Sequence, residues 1–570
     1  MTAALLPAIA LLPLLLAIAI ALRPDSAGLQ RLVPWAALPA LLLAALAPAG
    51  LEITLEWLLI GTTLAIDAVG RAFLALTAGL WLAAGLFALD ERRDDPGRHR
   101  FFVFWLLTLT GNLGLILAQD ALAFYLFFSL MSLAAYALVA HPGSDEARRA
   151  GRVYLVLAVV GEVLLFAGLA LAVYAAGGTR LEVLADARPE GWTLVLLVLG
   201  LGIKAGMLPL HFWLPLAHPA APVPASAVLS GAMIKAGLLG WLRVLPIDAA
   251  GHAVLGETLV LLGLAAAFLA AVAGVAQSRP KTILAYSSIS QMGLMTTGVG
   301  LALLIPEARG WLIAAVTLYA VHHGLAKGAL FLSAGMADRL PATGAGRAAF
   351  GLFAVLPALA LAGLPFTSGA LAKNALKGPL DAAELHGWLA HAELALTLAA
   401  VGTTLLMVRY LWRWRAGLGD AARPATAGRW WAWGGLSLMS LLMPAVALLA
   451  ALAGAPVHPA SLGGVSLVWP VVLGLALAGV TGMLVRERGR PWLPEGDLVI
   501  LPEAAWRRLQ GLRPTPRLSV PGRPIARWRW ARYRMQQRLV AAERGLTHWP
   551  VIGLLFAAAA LGVYVVLAPG

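Results

Sequence analysis

The chain has 570 residues, of which 61% are hydrophobic and only 12% charged, and its mean hydropathy is +0.84. This composition excludes an ordinary soluble globular protein and predicts a multi-pass membrane protein. The formal net charge is +14 and cysteine is absent, which excludes disulfides, thiolate-held iron–sulfur clusters and cysteine zinc sites, so we expect no cofactor on this chain.

Apolar runs long enough to cross a membrane recur along the chain and predict an all-α bundle of about 14–16 transmembrane helices. Backbone groups in lipid are satisfied only within helices or closed barrels, and no strand-like alternation favours a barrel. The first run lacks a cleavage pattern and is expected to be a retained helix rather than a signal peptide. The predicted spans are 2–22, 32–50, 57–89, 101–118, 120–140, 152–176, 191–217, 224–246, 254–276, 281–304, 308–336, 349–378, 387–412, 430–454, 463–485 and 549–568.

Arginines cluster in the loops that follow odd-numbered spans, for example at 92–100 and at 148–152. Because cytoplasmic loops of membrane proteins are rich in basic residues, these loops are expected to be cytoplasmic and both termini to face the other side. We expect the chain to lie in a bacterial-type inner membrane.

Helix breakers interrupt two spans, the seventh at Pro209 and Pro215 and the twelfth at Gly363, Pro365 and Gly369. Such breaks five spans apart indicate inverted repeats with an ion path between them, although proline and glycine are also simply common in membrane helices. The predicted organisation is N-terminal helices at 1–100, a first repeat at 101–250, a second at 251–415, C-terminal helices at 416–485, a basic segment at 486–548 and a last helix at 549–570.

The segment 486–548 is the longest polar stretch and carries fourteen arginines, no lysine and five acidic residues. Its interleaved tryptophans, Trp506, Trp528 and Trp530, suit a helix lying on anionic lipid headgroups or against a partner subunit. A basic aromatic stretch can also bind nucleic acid, but the position between two membrane spans favours the lipid or partner interpretation. No nucleic-acid partner is expected.

Only six of the 42 basic residues are lysines, and four of them, Lys204, Lys235, Lys327 and Lys373, fall inside predicted spans 7, 8, 11 and 12. Lysine can lose its proton when it is desolvated, whereas arginine effectively cannot. These four residues are therefore candidates for proton transfer, the alternative being charges that snorkel to the interface or pack between helices.

Few acidic residues and histidines accompany the lysines. Glu162 lies in the middle of span 6, and Asp67 lies near the start of the deep part of the third span. A carboxylate buried without a partner is costly, so Glu162 is expected to have a basic neighbour. His211, His322 and His323 titrate near neutral pH and are candidate relay residues, the alternative being hydrogen-bonded packing residues.

Five segments resemble the antiporter-like membrane subunits of respiratory complex I, Mrp-type cation/proton antiporters and membrane-bound (group 4, hydrogenase-4-like) hydrogenases. The resemblance covers roughly residues 60–415. It is carried by IDAVGRAF around Asp67, KAGMLPLHFWLPLAHPAAPVPASAVLSGAMIKAGLLGWLR (204–243), RPKTILAYSSISQMG (279–293), HHGLAKGALFLSAG (322–335) and GLPFTSGALAK (363–373).

The resemblance implies specific roles for the buried residues. Lys204 matches the lysine of the first broken helix, and Lys235 matches the central lysine of the next helix. His323 and Lys327 match the relay residues of span 11, and Lys373 matches the residue of the second broken helix. The family resemblance implies proton translocation driven by a separate redox module or by a counter-ion.

The sequence departs from the family pattern at two positions. Ser129 stands where the family's fifth helix usually carries the glutamate that pairs with the lysine of span 7, and Leu216 stands where many members have aspartate. We hypothesise that Glu162, one helix further along, replaces the missing carboxylate and forms the ion pair with Lys204.

The sequence therefore predicts a proton-translocating subunit that works with other membrane and peripheral subunits and catalyses no covalent chemistry alone. The alternatives are a membrane anchor that has lost transport, an independent solute transporter, and a membrane protein that supplies protons to a partner handling inorganic carbon. The driving reaction and the choice between proton and sodium ion remain open at this point.

Overall fold

A computed structural model describes residues 5–48, 50–247, 251–339, 341, 343–380, 383, 385–418, 425–452 and 465–486. Residues 1–54 and 63–498 form one compact unit, which contains the helices discussed below. Residues 55–62 belong to a second unit with residues from 499 onward, and only the turn-containing stretch 55–62 of that unit is described. The predicted basic segment and last helix lie outside the described residues.

Helices make up most of the described chain, and the only strands there are β1 (Glu52–Leu55) and β2 (Thr62–Ala65), which form one two-stranded sheet. A π-helical turn, Leu229–Met233, joins the eleventh helix to the twelfth. The helices are α1 (Leu5–Leu22), α2 (Ala27–Arg31), α3 (Leu38–Leu46), α4 (Ala68–Glu91), α5 (Arg98–Leu117), α6 (Ala121–Ala140), α7 (Asp145–Ala176), α8 (Leu181–Asp186), α9 (Gly191–Ala205), α10 (Trp213–Ala220), α11 (Val223–Val228), α12 (Lys235–Val244), α13 (Ala253–Val275), α14 (Pro280–Leu304), α15 (Arg309–Ala334), α16 (Gly344–Ala362), α17 (Ser368–Lys377), α18 (Ala392–Ala416), α19 (Ala427–Leu452) and α20 (Val465–Arg486).

The predicted all-α multi-pass membrane fold is confirmed. In the described ranges nine helices are long and apolar enough to cross a membrane, or up to ten if the pair α14 and α15, bent by 118° at its break, is taken as one span. The nine are Leu5–Leu22, Ala68–Glu91, Arg98–Leu117, Ala121–Ala140, Asp145–Ala176, Val223–Val244, Ala253–Val275, Gly344–Ala362 and Gly387–Ala416. Shorter apolar helices cover Pro34–Leu46, Gly191–Ala205 and Val468–Val480.

The lower number has a structural explanation. Every predicted span within the described residues contains helical structure. Several spans, however, are built from short or bent helices that are singly too short or too polar to cross a membrane. The seventh span is cut into α9 and α10, and the second span is a short helix preceded by a 3₁₀ turn at 34–37.

Both predicted breaks are present, at positions slightly different from those expected. The first runs from Gly206, which takes a left-handed conformation with φ +72°, to Phe212, and Pro215 lies inside α10. The second begins at Gly363 (φ +90°) and ends before Ser368, so Gly369 lies inside α17. A left-handed residue is a common helix stop and suits glycine, which has no Cβ.

The third predicted span begins later than the sequence suggested. Residues 62–65 pair as strand β2, and α4 starts only at Ala68. Asp67 is the N-cap of α4, where its side chain accepts a hydrogen bond from the backbone N–H of Gly70. Its side chain is 43% exposed, so Asp67 is not the deep carboxylate that the sequence indicated.

Small residues allow α13 and α14 to pack closely along the most extensive helix contact of the described bundle. A Cβ added at Gly263 would come within 2.5 Å of the backbone oxygen of Gly293, a separation that no side chain tolerates. Backbones that approach this closely gain van der Waals contact, which is a main source of helix association in lipid.

Candidate functional site

The Lys204 side chain lies at the end of α9, immediately before the first helix break, and is 4% exposed. Its Nζ donates hydrogen bonds to Ser132 Oγ at 2.9 Å and to Tyr154 Oη at 3.0 Å. Tyr154 in turn donates to the backbone oxygen of Ser132 at 2.9 Å. The amine is therefore held by neutral oxygens of α6 and α7.

Glu162 approaches the same place from α7 and is 7% exposed. Its carboxylate lies beside the hydroxyls of Ser129 and Ser132, and its charge interacts with that of Lys204. Among the described residues, however, no carboxylate oxygen lies within 4 Å of the Lys204 amine, and neither Glu162 Oε1 nor Ser129 Oγ makes a hydrogen bond. The two charges thus share a serine-lined site without direct contact.

A narrow cavity adjoins the Lys204 amine. It is lined by Phe128, Ser132, Tyr154, Ala158, Gly161, Gly200, Ile203, Lys204 and Trp213. It has room for about one water molecule, which needs polar partners such as a hydroxyl and an amine. Its polar lining groups are the Lys204 amine and the hydroxyls of Ser132 and Tyr154.

Lys235 is completely buried at the start of α12, directly after the π-helical turn. Its Nζ donates a 2.6 Å hydrogen bond to the backbone oxygen of Ser230, which lies within that turn. The Ser230 hydroxyl hydrogen-bonds the Ser288 hydroxyl of α14 at 2.7 Å. π-helical turns expose backbone groups that a regular helix would use and are frequent at functional sites.

Lys327 of α15 is also completely buried and faces α14. Its Nζ donates to the backbone oxygen of Leu284 at 2.7 Å and to the Ser287 hydroxyl. His323, one helical turn earlier, interacts with the charges of Lys235 and Lys327, and within the described part of the chain neither of its ring nitrogens has a hydrogen-bond partner. The imidazole is therefore close enough to both lysines to interact with their charges, without a hydrogen bond to either.

Lys373 lies in α17, after the second break, whereas Lys204 lies before the first break. Its Nζ donates to the backbone oxygens of Leu361 and Ala362 at 3.0 and 2.8 Å, the last carbonyls of α16. Free carbonyls at a helix C-terminus favour a positive charge. His322 Nδ1 hydrogen-bonds the Ser368 hydroxyl at 2.7 Å and interacts with the Lys373 charge, which links α15 to α17.

A second narrow cavity opens beside Lys373 and has room for about one or two water molecules. It is lined by Leu294, Tyr319, Ala362, Gly363, Lys373, Leu376, Lys377, Leu396, Thr397, Ala400 and Pro470. Both helix breaks are thus accompanied by a lysine, hydroxyl groups and a small cavity.

We call the amines of Lys204, Lys235, Lys327 and Lys373 the row of amines, and four sequence candidates are not part of it. Asp67 pairs with Arg243 at 3.1 Å instead of with a lysine. His211 lies in the first break and packs against Phe212, with the ring centroids 4.8 Å apart. Pro209 and Pro365 lie in the two breaks, where their side chains carry no polar group.

Hydroxyl residues are the main group that sequence reasoning missed. Every buried amine in the row is solvated by hydroxyl or backbone oxygens, chiefly of Ser132, Tyr154, Ser230 and Ser287. A signal was present in the SSIS run at 287–290, because three serines within four residues are unusual inside an apolar helix.

Residues 118–405 match the family described as NADH:quinone oxidoreductase/Mrp antiporter, transmembrane region.

A probable K(+)/H(+) antiporter subunit of Rhizobium meliloti is 32% identical over 55% of this chain and 32% of its own length. Hydrogenase-4 component B of Escherichia coli is 30% identical over 48% of this chain and 43% of its own length. The Microcystis aeruginosa protein named NAD(P)H-quinone oxidoreductase chain 4 2 is 30% identical over 57% of this chain and 58% of its own length. The matched part thus spans about a third to somewhat over half of these relatives.

Two solved structures share the fold. The Mrp complex from Dietzia sp. DQ12-45-1b superposes with a TM-score of 0.72 at 22% identity, over 98% of this chain and 66% of that chain. The membrane-bound sulfane sulfur reductase, an archaeal respiratory membrane complex, superposes with a TM-score of 0.64 at 21% identity, over 84% of this chain and 99% of that chain. At such identities the likeness concerns the fold alone.

Proposed function

The chain belongs to the NADH:quinone oxidoreductase/Mrp antiporter transmembrane family, and from this premise we propose that it is a proton-translocating subunit of a complex I-like, hydrogenase-like or Mrp-like energy-coupling complex. Protons move through buried lysine, histidine and glutamate side chains. The chain supplies no covalent chemistry, so the driving reaction belongs to partner subunits.

The observation that carries this proposal is the environment of Lys204. An ammonium group buried in a membrane bundle is costly, and such groups are usually functional. Lys204 is held by two hydroxyls, and the nearest charge, that of Glu162, acts without an ion-pair contact. A direct ion pair would lock the proton on the amine, whereas hydroxyl contacts leave the amine able to release it.

Glu162 takes the role of the missing fifth-helix glutamate in this proposal. Ser129 occupies that place on α6, and Glu162 of α7 faces Ser129 and the neighbouring Ser132. A small movement of α7 relative to α9 changes the separation of the two charges. Because the strength of a charge interaction rises steeply at short range in a low-dielectric interior, this movement alters the proton affinity of Lys204.

From Lys204 the proton passes to Lys235 and then to His323 and Lys327. His322 and Ser368 continue the row to Lys373 at the second break, next to its cavity. Hydroxyl groups and single water molecules connect the amines, since both can accept one proton and donate another. His211 follows Lys204 by seven residues, lies within the first break and serves as an accessory acceptor there.

The partners are other membrane and peripheral subunits, and the basic segment 486–548 contacts anionic lipid. The membrane is a bacterial-type inner membrane with both termini on the non-cytoplasmic side. The relatives include a hydrogenase component, a quinone oxidoreductase chain and part of a cation/proton antiporter, so the driving reaction is of one of these classes.

Proton flux into vesicles tests the proposal. The full chain is reconstituted with a trapped pH-sensitive dye, and flux is driven by an imposed membrane potential. Lys204→Met and Glu162→Gln are each expected to lower the flux about tenfold or more, as expected when a proton-transfer group is lost.

Glu257→Gln provides a matched control because Glu257 is an exposed carboxylate on another membrane helix, α13. The control is expected to transport protons like the unchanged chain. Equal flux in all four proteins would contradict the proposal and would favour a membrane anchor without transport.

A further inference from the structure

His218 is a buried titratable residue that has no role in the proton path proposed above. It lies near the end of α10 and is 0% exposed, and in the described chain neither of its ring nitrogens has a hydrogen-bond partner. A buried polar group without a partner costs free energy and calls for an explanation. Its charge environment is set by Lys235, Lys327 and Lys281.

The Phe331 ring contacts His218 and also lies near the Lys327 amine. The His218 ring stacks on the Phe331 ring with centroids 4.7 Å apart, and Lys327 Nζ lies 5.9 Å from the centroid of the same phenyl ring. The Phe331 ring is thus a neighbour of both the His218 imidazole of α10 and the Lys327 amine of α15. His218 and His323 both interact with the Lys327 charge, and neither imidazole has a hydrogen-bond partner in the described structure.

Lys281 connects His218 to the end of the bundle that carries the arginine-rich loops. It lies in the first turn of α14, and its Nζ donates to the backbone oxygens of Ala221 and, at 3.3 Å, Pro219, the residue after His218. The adjacent Arg279 pairs with the exposed Glu146 at the first turn of α7. Lys281 therefore lies between the buried histidine and the polar surface.

Glu91 is an acidic residue that follows His218 and Lys281 on the way to the arginine-rich loops. It is the last residue of α4, its side chain is 15% exposed, and its Oε2 lies 3.4 Å from Arg92. Its charge also interacts with that of Lys281. The neighbouring Asp94 is fully on the surface of the same loop.

We propose that Glu91, Lys281 and His218 form a second proton path, which exchanges protons between the arginine-rich face and the central pair Lys235 and Lys327. The arginine-rich face is defined here by Arg92, Arg148 and Arg279. Each group of the path takes up one proton and passes one on, so no other reactant is needed. This inference rests on the proposed function and names the residues by which protons enter or leave the row of amines.

A purely structural role is the competing explanation, because Lys281 satisfies the free carbonyls at the end of α10 and would stabilise that end by charge alone. Arginine separates the two roles. It keeps the positive charge and the donors but does not release its proton. Lys281→Arg is therefore expected to lower flux about as much as Lys281→Met, roughly tenfold.

The absence of native cysteine allows a sharper test at Glu91. Glu91→Cys in the full chain removes the carboxylate and is expected to lower vesicle proton flux about tenfold. Iodoacetate then converts the single thiol to S-carboxymethylcysteine, which returns a carboxylate and is expected to restore about half of the flux or more. Iodoacetamide adds a neutral amide of similar size and is expected to restore nothing.

Asp94→Cys is the matched control, and its flux is expected to stay unchanged before and after either reagent. Lys204→Met in the same vesicles distinguishes the two proposals. If Lys204→Met abolishes flux while Glu91→Cys and Lys281→Arg keep it, the second path is wrong and the proposed function stands. If iodoacetamide restores flux as well as iodoacetate, the role of Glu91 is structural and the second path is likewise wrong. If the unchanged chain and Lys204→Met transport equally, the proposed function itself fails.

Discussion

Lys204 and Glu162 lie on different helices, α9 and α7, yet both face the hydroxyl of Ser132 on α6. Three helices thus contribute to one site, with the acid on a helix next to the one where the family pattern would place it. With the acid at Glu162 rather than at position 129, one basic and one acidic side chain still face the same serine. Because the pair is separated by a hydroxyl, a shift of either helix is able to change the interaction between the charges.

Moving the carboxylate back to α6 should restore transport in a chain that has lost Glu162. Ser129 lies beside the Glu162 carboxylate, so a glutamate at position 129 presents its charge to the same site. Glu162→Gln is expected to lower vesicle proton flux, and Ser129→Glu in that background is expected to recover a substantial part of it. Ser129→Gln in the same background is the size-matched control, and a recovery there would argue against the need for a carboxylate.

The Tyr154 hydroxyl should tune transport without being required for it. Tyr154→Phe removes one of the two hydroxyls that hold Lys204 and also the bond to the Ser132 backbone oxygen. Ser132 Oγ still accepts from the amine, so flux is expected to fall only about two- to fivefold, equivalent to the net worth of one hydrogen bond. A loss as complete as that of Lys204→Met, measured by the same dye assay, would show that Tyr154 itself carries the proton.

Much of the fold could be predicted from the sequence, because a helix that crosses lipid must be long and apolar. Long apolar runs with arginine-rich ends predicted the helices, and the lysines at the two breaks were found because lysine is so rare in this chain. The breaks at Pro209 and Pro365 were predicted correctly as interruptions, since proline and glycine act locally on the backbone.

Other features could not be predicted because they depend on contacts between distant segments. The π-helical turn before Lys235 contains no proline, and its sequence LSGAM reads as ordinary helix. Asp67 read as a deep carboxylate because residues 57–66 are apolar, but those at 62–65 form a strand and the helix starts after it. The partners of Lys204 on α6 and α7 lie 72 and 50 residues away in the chain, beyond the reach of any local pattern.

Arg243 should be a major stabilising residue at the end of α12. Its guanidinium donates to the backbone oxygens of Leu115, Ile116 and Ala118 at 2.7–3.2 Å and pairs with Asp67 at 3.1 Å. Arg243→Gln leaves these carbonyls at the end of α5 without partners and is expected to lower the free energy of unfolding by about 2–3 kcal/mol. Asp67→Asn, which can still cap α4, is expected to cost about 1 kcal/mol or less. Thermal unfolding in detergent measures both, and equal Tm values for the two variants would contradict this assignment.

The loop pair Asp95 and His141 should make stability fall as the pH is lowered. Burial lowers the pKa of His141 below its usual 6.5, despite the 2.7 Å bond to Asp95. Burial alone would raise the pKa of Asp95, but the hydrogen bonds from His141 and from the Gly97 N–H bring it below the usual 3.8. Both groups therefore bind protons more readily in the unfolded chain, so acidification favours unfolding.

The histidine part of this effect begins as the pH falls through 6.5, the pKa of the unfolded group. His141→Gln removes it, so a plot of Tm against pH should be flatter between about pH 6.5 and 5 in the variant than in the unchanged chain. Identical slopes would show that His141 does not contribute.

The most direct measurement of the central claim is the proton flux of Lys204→Arg in reconstituted vesicles. Arginine preserves the buried positive charge and its hydrogen-bond donors but holds its proton at any physiological pH. If protons pass through the Lys204 amine, flux in Lys204→Arg falls to the level of Lys204→Met. Flux equal to that of the unchanged chain would show that position 204 needs only a fixed charge, and that protons do not travel through its side chain.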